Sequence, residues 1–205
     1  MDALRVALLR EVLASTPWPA EARRFAGTLR SCVVPHGGGL LLVGTEEYEP
    51  WHLAAHLVDE AAWSGLPELA PTLVRHRTGP DQPPHLSVGL DRLEAAGRGE
   101  TLLVVSPGRF GDGLLERVHG ARRAGATVLS LDRGDPAAQD LAHETLTLPG
   151  PGDDAGAGVD FDTVQHLVSA AAGENGLPAA RGPRRFRDRL ARLADRLTAP
   201  PPAPW

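Results

Sequence analysis

Three short, unbroken apolar runs constrain this chain more than any other feature: Leu40-Leu41-Leu42-Val43, Thr101-Leu102-Leu103-Val104-Val105 and Thr127-Val128-Leu129-Ser130-Leu131. A strand with one wet face alternates polar and apolar residues. A continuous run of four to six implies a strand covered on both faces, as in a parallel sheet. Two weaker runs extend the set. Thr72-Leu73-Val74-Arg75 is one. Thr145-Leu146-Thr147-Leu148 is the other, short and alternating, which fits an edge strand.

Helical stretches separate the runs. Pro50 stands where a helix over Trp51 to Ser64 would begin, and Gly65 follows it. Asp112 is placed to cap a helix that ends before Gly125, Asp135-Pro136 reads as a cap and first-turn proline, and Asp160 precedes a helix running to about Ala172. Leu86 to Ala96 completes the alternation. Strands alternating with helices predict a three-layer, doubly wound α/β fold with a parallel five-stranded sheet in flavodoxin-like order. Two helices, Asp2 to Ala14 and Ala20 to about Ser31, precede the sheet. The predicted organisation is therefore N-terminal helices over residues 1–35, packed on the domain or on a dimer partner, an α/β domain over 36–173, and a Pro/Arg-rich tail over 174–205.

Composition removes several classes. All 21 basic residues are arginine, so neither a Schiff-base lysine nor a P-loop lysine exists. The Arg, Ala, Gly and Pro bias matches a GC-rich bacterial genome. Cys32 is the only cysteine, which excludes a disulfide framework or a cysteine zinc site and fits a reducing compartment. Arg5, Arg10 and Glu11 interrupt the first apolar stretch, unlike a signal peptide, and no run reaches the roughly 18 apolar residues of a membrane span. The expected location is cytoplasmic. Gly37-Gly38-Gly39 precedes the first strand, the wrong side for a dinucleotide phosphate, and Ser106-Pro107-Gly108 is no nucleophile elbow. No cofactor is predicted.

Open parallel sheets bind ligands beyond the carboxyl ends of the strands, where strand order reverses. In a 2-1-3-4-5 order that point lies between Gly44-Thr45-Glu46-Glu47-Tyr48-Glu49 and Ser106-Pro107-Gly108-Arg109-Phe110-Gly111-Asp112. Each segment leads into a helix whose first amides can hold an anion. The candidate ligand-binding residues are Gly44, Thr45, Ser106, Gly108, Arg109 and Gly111.

These residues carry a resemblance. Leu102 to Ser106, a glycine-containing turn, a helix ending Ala121-Arg122-Arg123-Ala124-Gly125-Ala126, and Thr127 to Leu131 resemble the SIS (sugar isomerase) domain family, whose pattern is apolar strand, S-x-S-G-x-T, helix, and a second apolar strand. Leu141 to Pro149 is similar to the helix end and fifth strand that follow. His52-Leu53-Ala54-Ala55-His56-Leu57-Val58 resembles the first sheet-covering helix of the phosphoheptose isomerase branch, and the Gln165-His166 region resembles that branch's last helix. The resemblance spans roughly residues 40–172. It implies the fold, a sugar-phosphate ligand and a homodimer, to which the apolar stripe Leu4, Leu8, Val12 and Leu13 could contribute.

The phosphate loops depart from the family. Thr45-Glu46-Glu47-Tyr48-Glu49 replaces a glycine- and serine-rich loop. Gly108 and Arg109 stand where a second serine and a glycine belong, and Asp112 adds charge. Carboxylates there repel a phosphate unless they point away. Arg109 could compensate through a bidentate contact. The expected function is an atypical, non-catalytic SIS-like protein that binds a sugar phosphate or serves as a regulatory or adaptor module. The alternatives are an active aldose–ketose isomerase, with Glu46, Glu47 or His166 as the base, and a structural interaction protein with no ligand.

His52 and His56, one helical turn apart, form a pair suited to zinc, but the sequence shows no third ligand beside them beyond Asp59 or Glu60, and no metal site is assigned. Residues 181–197 hold seven arginines and two aspartates, with Phe186, Leu190, Leu193 and Leu197 on one helical face. This basic amphipathic helix is predicted to dock on its own domain, on a second subunit or in a protein partner. The rest of the chain carries −10, given the net charge of −5, and an acidic domain disfavours nucleic acid.

Overall fold

A computed structural model describes residues 3–33, 38–79, 81–149 and 159–174. The Gly-rich segment 150–158, the Arg-rich segment 181–197 and the proline-rich end lie outside the described residues, and so do the readings made for them. Helices α1 (Ala3–Val12) and α2 (Trp18–Val33) precede a parallel sheet. Its strands are β1 (Leu40–Val43), β2 (Pro71–Val74), β3 (Thr101–Ser106), β4 (Thr127–Asp132) and β5 (Glu144–Thr147). Between and after them run α3 (Trp51–Ser64), α4 (Asp91–Glu94), α5 (Asp112–Arg123), α6 (Pro136–Leu141) and α7 (Phe161–Gly173). The strand order is β2-β1-β3-β4-β5, with all four pairings parallel. This is the predicted doubly wound α/β architecture, and β1 and β3 flank the reversal.

The unbroken apolar runs have the predicted cause. Leu40, Leu42, Leu103, Val105, Leu129 and Leu131 join one core with residues of α2, α3 and α7. Their alternates Leu41, Val43, Leu102, Val104 and Val128 join a second core with α4, α5 and α6. Each strand therefore buries both faces, and every Leu or Val so buried contributes about 1.5–3 kcal/mol. Phe25, Leu29 and Trp18 of α2 belong to the first core, so α2 is part of the layer that covers the sheet.

Two local expectations are corrected. Leu86 to Ala96 is not one helix. It contains the end of a single 3-10 turn, Pro84–Leu86, and the one-turn α4, because Val88 and Gly89 between them are extended and pair with Arg75 beyond the end of β2. Asp112 does not cap α5. Gly111 occupies that position and no side chain caps the helix. The other caps hold: Asp135 accepts from the Ala137 amide, Asp160 from that of Thr163, and Gly65 closes α3 at φ 71°.

Helix α7 is buried on every side from Val164 to Gly173. It lies against both α2 and α3, with α1 also packed on it. Alanines 170, 171 and 172 keep it thin enough for that crowding. Gly173 is required where it stands, since a Cβ there would overlap the carboxylate of the buried Glu60 on α3. A helix enclosed in this way must find partners for its polar residues, and Gln165, His166 and Ser169 are all buried.

Candidate functional site

The loop after β1 is folded tightly on itself. The Thr45 amide donates to the Tyr48 carbonyl at 2.9 Å, and a Cβ on residue 44 would collide with that same oxygen. Gly44 is therefore glycine because the turn passes over it. Thr45 is buried, and Glu46 and Glu47 are exposed.

The carboxylates of this loop are engaged from the β2 side. Arg77 donates to Glu46 at 2.6 Å, and Arg75 donates to Glu49 at 3.1 Å while stacking over the Trp51 ring at 4.9 Å. His76 Nε2 lies 3.0 Å from the Gly44 carbonyl oxygen. The hydrogen bond from Arg77, and its charge, hold the Glu46 carboxyl below the usual carboxylate range. Because β2 and β3 lie on opposite sides of β1, these pairings draw Glu46 and Glu49 away from the reversal point. Glu47 and Asp112 remain exposed.

The loop after β3 is built differently. Buried Ser106 accepts from the Gly108 amide at 3.0 Å, and the Phe110 amide donates to Asp135 at 2.7 Å. Asp135 thus fixes this loop as well as capping α6. Between these anchors Gly108, Arg109 and Gly111 are exposed. A Cβ on Gly111 would meet open space. The uncapped first turn of the 12-residue α5 begins here, so its amides face outward with no side chain upon them. Gly44, Thr45, Ser106, Gly108, Arg109 and Gly111 accordingly line two loops that end adjacent strands.

A second cluster sits beside the β1 loop. The Tyr48 hydroxyl accepts from Gln165 of α7 at 2.9 Å, and its ring meets Phe161 edge-on at 5.7 Å. Burial raises the Tyr48 pKa. Gln165 also donates to Asp162 at 3.1 Å, and Asp162 lies 4.0 Å from His52 Nδ1. Three imidazoles meet there. The ring centroids of His52 and His56 are 4.5 Å apart, His52 and His166 4.4 Å, and His56 and His166 4.5 Å. Burial, and then the neighbouring His166 and His52, push the His56 pKa down to about 4.

His166 is therefore a buried member of the helix layer, 8% exposed. His52 and His56 are not alone, because α7 supplies the third ring that sequence spacing could not reveal. The signal available in the sequence was the composition of α7, which from Val164 onward is apolar except for Gln165, His166 and Ser169. Of the three candidate bases, Glu46 is paired with Arg77, Glu47 is exposed and His166 is buried in the helix layer.

No family model matches the sequence, and no curated protein matches it. Solved structures do. The NanR protein of Vibrio vulnificus, complexed with ManNAc-6P, aligns with a TM-score of 0.50 at 14% identity, over 98% of this chain and 77% of that one. A candidate sugar-binding protein from Salmonella typhimurium LT2 aligns at 0.50 and 19% identity over 92% of this chain. A candidate phosphosugar isomerase from Silicibacter pomeroyi DSS-3 aligns at 0.50 and 15% over 93%. The alignment spans 52% of each of the last two proteins. Strand order, helix layers and these likenesses agree: the chain has the fold of the SIS (sugar isomerase) domain.

Proposed function

We propose that this chain is a sugar-phosphate-binding SIS-type module without isomerase activity, serving a regulatory or adaptor role. One observation carries the reading. Two of the four carboxylates that would repel a phosphate, Glu46 and Glu49, are paired with Arg77 and Arg75 of the β2 side, which leaves the α5 amides and Arg109 to meet an anion at the reversal point, with Glu47 and Asp112 at its rim. The same pairing argues against catalysis. A base must take a carbon-bound proton, and an arginine-paired carboxylate with a lowered pKa is a poor one. The sugar-phosphate complex of the Vibrio vulnificus protein supports the ligand class.

The chain also acts as a homodimer in this reading. Leu8, Val12, Trp51, Val58 and Trp63 are exposed on α1 and α3, an apolar set suited to a second copy. Sedimentation that gives a monomer mass at micromolar concentration would reject that part.

The ligand is tested by calorimetric titration with sugar phosphates, amino-sugar phosphates and their unphosphorylated sugars. Binding should require the phosphate. Arg109→Ala should weaken it by roughly 1.5–3 kcal/mol, the scale of a charged hydrogen bond. Tight binding indifferent to Arg109 and Ser106 rejects the site, and turnover of an aldose or ketose phosphate rejects the non-catalytic role.

A further inference from the structure

The three imidazoles between α3 and α7 are an arrangement that packing alone does not account for. One nitrogen from each of His52, His56 and His166 lies within 4.8 Å of the other two. Both nitrogens of His56 are shielded from solvent and find no hydrogen-bond partner among the described residues. Buried polar atoms in native proteins are almost always satisfied, so an imidazole with neither nitrogen engaged calls for a ligand. A leucine or phenylalanine would fill the same space without that cost. Three charged imidazoles would repel, whereas three neutral ones present lone pairs to a common centre.

We propose that His52, His56 and His166 bind a divalent late-transition-metal ion, of which zinc is the type. Imidazole nitrogens select such ions over magnesium and calcium, which take oxygen ligands. Zinc–nitrogen distances of about 2.0–2.1 Å place tetrahedral ligand nitrogens about 3.4 Å apart. Small ring rotations bring the three within that range. Asp162, beside His52 Nδ1, favours the proton on that nitrogen and leaves the Nε2 lone pair available, and Gln165 holds Asp162 in place. The His52 side chain is 40% exposed, which supplies an entry path. Three protein ligands leave a fourth position open. This inference is independent of the sugar-phosphate reading, because the ion binds in the absence of any sugar.

The test uses the full chain, free of any affinity tag and stripped of metal, titrated with Co²⁺ and Zn²⁺. One ion per chain should bind, with the intense visible absorption of tetrahedral cobalt, bleached when zinc displaces it. Mg²⁺ and Ca²⁺ should neither bleach nor compete. His56→Gln and His166→Gln should each lower affinity by at least the roughly hundredfold that loss of an outer-shell partner reaches. His119→Gln, exposed on α5, should change nothing. Should either buried variant fail to unfold cooperatively, His52→Gln at the exposed rim provides the same readout. Absence of cobalt binding at micromolar concentration overturns the proposal. So does binding that all three variants leave intact, whether or not sugar phosphates bind.

Discussion

The loop pair beyond β1 and β3 and the three-histidine cluster lie side by side, yet they are made in opposite ways. The loop pair is backbone: glycines, an uncapped helix start, and arginines that remove unwanted charge from the side. The cluster is side chain: three rings on two helices, one of them enclosed by the rest of its layer. A backbone site tolerates change in most nearby side chains but not in the turn that shapes it. A side-chain site fails when one ring is lost. Tyr48 is the link between them, its carbonyl in the first and its hydroxyl on Gln165 in the second.

The largest effect should separate the two regions outright. His56→Gln should abolish tight metal binding while leaving phosphate binding unchanged, as measured by parallel titrations of one sample. Loss of both together would mean that the regions form a single site.

Gly44→Ala should act on the shared element. The added Cβ overlaps the Tyr48 carbonyl, so the turn must open, at about the 1–3 kcal/mol of an overpacked site. Chemical denaturation measures it. Both phosphate and metal affinities should fall, since Tyr48 moves with the turn.

Acidification should sharpen the difference further. The His56 pKa is about 4 in the folded chain against the ordinary imidazole value of 6.5. Between those values the unfolded chain binds a proton that the folded one does not, so stability declines as pH falls from 6.5 towards 4. Asp59, His52 and His166 act on the same ring, and Asp162 lies beside His52. In metal-free protein His56→Leu should flatten that part of the pH profile, measured by denaturant midpoints. An unchanged slope would show that His56 is solvated.

These contrasts explain what could be read from the sequence. The strand runs were legible because burial on both faces leaves an unbroken apolar string, and the crevice followed because its loops adjoin those strings. Caps at Asp135 and Asp160 were legible because their chemistry is local. Glu46 and Glu49 looked repulsive because their partners, Arg77 and Arg75, lie on a different strand's end. The third histidine was hidden for a similar reason. His56 and His166 are far apart in sequence, and only the packing of α7 on α3 brings them together. The Leu86–Ala96 helix was over-read, because its apolar residues serve a loop that covers the second core.

Tyr48→Phe should have a smaller effect. It removes the acceptor of one Gln165 hydrogen bond, worth about 0.5–1.5 kcal/mol, while the ring contact with Phe161 survives. Metal affinity should fall modestly, because Asp162 loses a fixed neighbour, and phosphate binding should not change. A larger effect on phosphate would assign Tyr48 to the crevice.

The smallest effect belongs to Glu46→Gln. The Glu46–Arg77 pair is exposed, and exposed pairs contribute little because water screens both partners. Thermal unfolding should therefore not shift measurably. Its value lies in the sign of its effect on phosphate affinity. If Arg77 already neutralises Glu46, removing the carboxylate leaves the crevice potential nearly as it was, and releases one arginine charge at its β2 edge. Phosphate binding should then stay constant or tighten slightly, with the change vanishing at high salt. A marked gain that survives high salt would mean that Glu46 opposes the ligand directly in the wild-type protein. The carboxylate would then belong to the crevice, and paired edge charge and open backbone site would be one surface.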